Sequence, residues 1–147
     1  MGREIQVKSL PEAERFLSDT HPVIWHLSGD SRLSTEARRR FEMAESGEAV
    51  IFLSVISIIE MLYLKEKDKI PRAFWELFLR TLKSDPQESC QIVDLTYDLA
   101  QSIDQVPRTV IPEMPDRIIA ATALRLNIPM ITKDHRLHQW ERIVTIW

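Results

Sequence analysis

The chain has 147 residues, 44% of them hydrophobic and 28% charged, which is enough for one buried core and excludes a disordered or fibrous polymer. The net charge of −3 and pI near 5.8 exclude nucleic-acid binding by bulk charge, so any such contact must come from a local basic patch or from metal ions. A single cysteine, Cys90, excludes an internal disulfide, and no stretch approaches the roughly 20 apolar residues that span a bilayer.

Residues 1 to 13 read as a polar lead-in to a single domain occupying 1 to 147. They lack the apolar core of a signal peptide, and Gln6 breaks the myristoylation pattern begun by Gly2. A cytoplasmic protein is the expectation.

The first predicted strand is Arg15 to Ser18, followed by Asp19. Thr20 or His21 then opens a helix with Pro22 in its first turn, where the missing N–H costs nothing. Ser34 or Thr35 caps a second helix carrying Glu36 in its first turn and Phe41 and Ala44 inward, and Gly47 ends it. Ala49 to Leu53 is an apolar run without alternation, the pattern of a strand covered on both faces. Ser57 to Glu60 has the form of a capping box, which gives Glu60 a purely structural explanation.

Pro71 starts a helix bearing Phe74, Trp75, Leu77, Phe78 and Leu82, a broad apolar face suited to packing. Cys90 precedes Gln91, Ile92 and Val93 in a segment that reads as a core strand with a buried thiol. Thr96 caps the next helix, with Leu99, Ala100 and Ile103 inward. After Pro112 and Pro115, Asp116 stands in the first turn of an alanine-rich helix reaching Asn127, and Ile128 to Ile131 and Ile143 to Ile146 complete the strands. Alternating strands and helices predict an α/β fold with a parallel sheet.

Four acids therefore sit at the ends of apolar runs: Asp19, Glu60, Asp116 and Asp134. In an α/β fold such positions fall at the carboxyl edge of the sheet, where sites are built. Asp19 and Asp134 also have the bland reading of helix caps. Four carboxylates in one cleft repel one another unless a cation compensates, and an oxygen-only donor set without paired His or Cys favours Mg²⁺ or Mn²⁺ over zinc. Such a site suits phosphodiester hydrolysis.

These residues carry a family resemblance. Phe16 to Trp25, Leu53 to Glu60, Pro115 to Ala123 and Ile131 to Asp134 resemble, in order, the four acidic motifs of PIN-domain nucleases, and VapC-type toxins of bacterial toxin–antitoxin pairs above all. Two departures stand out: Ser18 where an aliphatic residue is usual, and a long lead-in before Glu14. The resemblance implies a three-layer α/β/α fold with a mainly parallel sheet, and an endoribonuclease dependent on Mg²⁺ or Mn²⁺. It implies that Asp19 and Asp116 ligate the metal, while Glu60 and Asp134 ligate it or hold its waters. Glu113 becomes a candidate fifth acid, Thr20 and Thr132 candidate partners of the ligands, and Arg117 a candidate phosphate contact. It further implies an RNA substrate, a VapB-like antitoxin that pushes a basic side chain into the acidic site, and a homodimer.

Two other readings compete. A catalytically silent PIN-like module that binds RNA or protein would keep the fold without needing four mutually repelling acids. A phosphoryl-accepting signalling domain would want paired acids after the first strand, where this chain has Ser18 and Asp19. The histidines His26, His135 and His138 show no partner pattern and read as surface residues, and His21 as a packing or capping residue. Arg38, Arg39 and Arg40, with Lys65, Lys67 and Lys69, read as solvated helix faces.

Overall fold

The computed structural model describes residues 13–84 and 88–147. The lead-in, apart from Ala13, lies outside the described residues. Among the described residues five strands form one parallel sheet: β1 (Glu14–Ser18), β2 (Ala49–Ser54), β3 (Cys90–Val93), β4 (Met130–Ile131) and β5 (Thr145–Ile146), in the order β3-β2-β1-β4-β5. The helices are α1 (Thr20–Ser28), α2 (Thr35–Glu45), α3 (Val55–Glu66), α4 (Arg72–Lys83), α5 (Tyr97–Ser102), α6 (Met114–Leu126) and α7 (His135–Gln139). None is long and apolar enough to cross a membrane.

The sheet is covered on both faces, which is why its strands read as unbroken apolar runs. Successive residues of β1 point opposite ways: Phe16 joins the core shared with α1, α2 and α4, and Leu17 joins the core shared with α5 and α6. Ile131 and Met130 divide in the same manner on β4. The result is the expected three-layer α/β/α arrangement. In α6, small residues (Ala120, Ala121, Ala123) are fully buried, and they let the helix axis approach the sheet closely.

Helix starts follow capping chemistry. Asp19, Ser34, Thr96 and Asp134 each accept an amide bond at the N-terminus of α1, α2, α5 and α7. The capping box expected at Ser57 to Glu60 is not formed: Ser54 caps α3, bonding the Ile56 amide at 3.2 Å. The helix therefore begins earlier than predicted, immediately at the end of β2, and Glu60 stands in its second turn with no capping duty.

Other expectations shift for physical reasons. β4 starts at Met130 rather than Ile128, because Pro129 has no N–H for the ladder, although its carbonyl accepts from Leu17 N at 2.9 Å. Cys90 is half-buried, not a core thiol, since β3 is an edge strand whose residues are all partly exposed. Ala100 faces solvent, and Leu99 supplies the buried contact of α5.

The strand order places the reversal of winding between β1 and β4. Chain progression from β1 goes outward through β2 to β3, then returns to the other side of β1. Such a switch point opens a crevice at the carboxyl ends of the two strands. Asp19 follows β1 directly and Asp134 comes three residues after β4, so the topology delivers both to that crevice.

Candidate active site

At the switch point lies a cleft of about 560 Å³ lined by Asp19, Glu60, Asp116 and Asp134 together with Thr20, His21, Trp25, Arg32 and Lys133. The four acids, drawn from four separate segments, thus come to one place. Thr132 on the β4 exit donates its hydroxyl to Asp19 Oδ2 at 2.9 Å, and the Thr20 amide donates to Asp19 Oδ1 at 2.8 Å. Asp19 therefore caps α1 and faces the cleft at once, so the capping role and a place in the cleft are compatible.

Thr20 Oγ1 donates to Glu60 Oε1 at 2.6 Å and lies 2.9 Å from the Ser57 hydroxyl. This buried chain of hydroxyls fixes the Glu60 carboxylate beside Asp19. Both threonines singled out from the sequence accordingly bond an acid of the cleft.

Burial raises the proton affinity of the acids unevenly. Desolvation pushes Asp19 up against its bonds from Thr20 and Thr132, and pushes up Glu60, with the neighbouring Asp19 charge adding to the rise. Asp116 is pushed up to about 7, first by desolvation and then by the charges of Asp19, Glu60, Glu113 and Asp134. Asp134 behaves oppositely: burial works to raise it, but the Arg136 guanidinium and amide bonds to its carboxylate outweigh that and hold it below the usual range.

Arg136 is the residue that sequence reasoning missed. Its Nη2 and Nε bond Asp134 at 2.9 and 3.2 Å, and its Nη1 reaches both oxygens of Glu113 at 3.1 and 2.8 Å. It stands 3.7 Å from Asp116, within ion-pair distance, while its hydrogen bonds go to the other two acids. Glu113 is exposed and is not among the residues lining the cleft; it is tied to the cluster by its bonds to Arg136 and by its charge acting on Asp116.

The donor set tests the fit of a hard cation. Every acid is an oxygen donor, and their mutual repulsion, visible in Asp116, is what a divalent ion relieves. Among the described residues no group of three or more acidic, histidine or cysteine side chains stands placed to hold a metal ion. The donor chemistry of the cleft, oxygen ligands without paired His or Cys, is nonetheless that which suits a hard cation such as Mg²⁺.

Residues 16–143 match the family model described as PIN domain. The chain belongs to the PIN domain family. This PIN domain is also 31% identical over 134 residues to Ribonuclease VapC22 of Mycobacterium tuberculosis (strain ATCC 25618 / H37Rv), covering 89% of this chain and 97% of that relative. Its fold is similar to that in the crystal structure of VapBC2 from Rickettsia felis bound to a promoter DNA fragment, with a TM-score of 0.65, 15% identity and coverage of 89% and 96%. DNA-bound VapBC from Salmonella typhimurium gives 0.66, 17%, 90% and 96%.

One site expectation for this PIN domain needs correcting. Arg117 does not line the cleft: its Nε bonds the Val106 carbonyl at 2.9 Å and its Nη2 the Ile103 carbonyl at 3.2 Å, tying α6 to the preceding turn. Successive helix residues point about 100° apart, so the neighbour of Asp116 faces away from it. The basic groups lining the cleft are Arg32 and Lys133, lying over the Trp25 ring at 5.0 and 5.7 Å. Asp30 accepts three bonds from the Arg32 side chain, the shortest 2.7 Å, and that pairing holds the Asp30 carboxyl down at about 2.

His135 and His138 are exposed as expected, while His26 departs from its expected surface position. His26 is half-buried, stacked on Phe41 at 4.8 Å and 2.7 Å from Glu45. His21 is exposed at the cleft wall, 5.6 Å from Trp25.

Proposed function

We propose that this PIN domain is a Mg²⁺- or Mn²⁺-dependent endoribonuclease, acting in the cytoplasm as the toxin of a VapBC-type pair. The observation that carries the reading is the meeting of Asp19, Glu60, Asp116 and Asp134 in one cleft at the switch point of the sheet. Similarity to a ribonuclease VapC over nearly the whole chain supports the substrate class. Retention of all four acids, at the electrostatic cost seen in Asp116, speaks against a silent binding module.

In this reading Asp19 and Asp116 hold the ion, and Glu60 and Asp134 ligate it or hold its waters. When bound, the ion neutralises phosphate charge and lowers the pKa of a coordinated water. The chain's own groups do the rest. Thr132 and the Thr20 amide fix both oxygens of Asp19, and Thr20 fixes Glu60. Glu60, with its proton affinity raised by burial, takes the proton of the attacking water. Lys133 and Arg32 hold the flanking RNA phosphates.

A VapB-like antitoxin segment has a fitting seat. An apolar groove of about 290 Å³ runs between α1, α2 and α4, lined by Val23, Leu27, Phe41, Leu77, Phe78 and Leu82. The exposed Ile59 and Tyr63, one turn apart on α3, form part of a homodimer contact in this reading.

The deciding experiment expresses wild type and Asp116→Asn in a bacterial host and maps new ends in total RNA. Growth arrest with discrete new ends in the wild type alone is the expected outcome. RNA binding without cleavage by the wild type would favour the silent module instead.

A further inference from the structure

Arg136 carries an inference that rests on the reading of the cleft as a metal site but concerns the chain's own cation. The guanidinium makes its bonds to acids from two segments, Glu113 at the start of α6 and Asp134 ahead of α7, and lies within ion-pair distance of a third, Asp116. Lys133 and Arg32, the basic groups lining the cleft, lie over Trp25 instead. Asp134 is thereby drawn into a side-on pair with Arg136, with Nε on one oxygen and Nη2 on the other. Both oxygens of a proposed ligand are engaged by a cation already present.

We propose that Arg136 is a resident counter-cation of the acidic cleft, and that a hard divalent ion entering the site competes with its guanidinium for Asp134. Three observations agree. The fork engages both oxygens of Asp134 and both oxygens of Glu113, so neither acid is free for a second cation while it is in place. The arginine side chain is 40% exposed while Asp134 is 16% exposed, so the cation can swing into water at little desolvation cost while the acid stays in place. Holding two carboxylates at once needs the planar fork of arginine, which a lysine ammonium does not reproduce.

Competition for one ligand is a coupling between two cations, and coupling between sites is typically about 5- to 150-fold in affinity. The test is calorimetric titration of the full-length chain with Mn²⁺ for wild type, Arg136→Gln and Arg136→Lys, alongside melting temperatures in chelator. Arg136→Gln is expected to bind Mn²⁺ about fivefold tighter or more and to melt lower than wild type without metal, with Arg136→Lys between them. Equal or weaker Mn²⁺ binding by Arg136→Gln, with wild type binding normally, would overturn this inference and leave the metal site standing. Absence of Mn²⁺ binding in every form would overturn both. Should Arg136→Gln fail to fold, the Nε–H resonance of Arg136 in wild type serves, assigned by its loss in Arg136→Lys. Broadening of that signal on adding Mg²⁺ supports displacement, and an unmoved signal at saturating Mg²⁺ overturns it.

Discussion

At the scale of the residue, Asp116 has the clearest consequence. Its carboxyl is pushed up to about 7 from an ordinary value of 3.8, so the folded protein holds a proton there more tightly than the unfolded chain. The charged form opposes folding: the penalty is absent below about pH 4, grows through the interval, and is complete above pH 7. A rise of that size fully realised would be about 4 kcal/mol; with the side chain 29% exposed, solvent screening reduces this to about 1–2 kcal/mol. Asp116→Asn is therefore expected to melt with wild type near pH 4 and several degrees higher above pH 7, both in chelator, while losing RNA cleavage. Coincident melting curves at pH 8 would contradict the electrostatic account. Asp116 and its three companions were legible as candidates because each stands at one end of an apolar run. Arg136 was not, because a basic residue two places after an acid reads as an ordinary solvated pair until the fold brings Glu113 beside it.

At the scale of the element, the sequence signals for helix starts were strong but ambiguous between neighbours. Ser57 and Glu60 have capping-box spacing, yet Ser54 three residues earlier caps α3. What decides is β2, which runs to Ser54 in register with β1 and β3 and leaves no linker before the helix. Tertiary pairing overrides the local pattern, a consequence invisible in a single segment. The two serines should then respond differently. Ser54→Ala is expected to cost about 1 kcal/mol through loss of the cap without moving the cleft. Ser57→Ala removes a hydroxyl 2.9 Å from Thr20, so it should reduce cleavage by loosening the Thr20 to Glu60 bond, with a smaller change in melting temperature. Thermal melts and cleavage rates on the same preparations separate the two roles. The last two strands were overestimated, and Cys90 was read as buried, for a comparable reason: apolar runs mark burial, while Pro129 sets where the pairing of β4 begins and the edge position of β3 leaves its residues partly exposed.

At the scale of the whole molecule, the proposed function has a chain of net charge −3 grasp a polyanion and cut it in a cleft lined by four acids. On that reading contact with phosphates comes from few local cations, and Lys133 and Arg32 on the Trp25 wall of the cleft are the proposed ones. The basic run Arg38 to Arg40 sits instead on α2 with Arg40 paired to Glu36. Each phosphate contact on a single strand contributes about 0.7 to the slope of log affinity against log salt. Binding of an uncleavable single-stranded oligonucleotide, followed by anisotropy across a salt series, should show the slope of Lys133→Ala reduced by about 0.7, and that of Arg38→Ala unchanged. Arg117→Ala supplies the opposite signature. Its guanidinium serves the Ile103 and Val106 carbonyls, so the variant should lose about 1.5–3 kcal/mol of stability while keeping the wild-type salt slope. A lowered slope in Arg117→Ala, with Lys133→Ala unaffected, would return the phosphate path to the far side of Asp116.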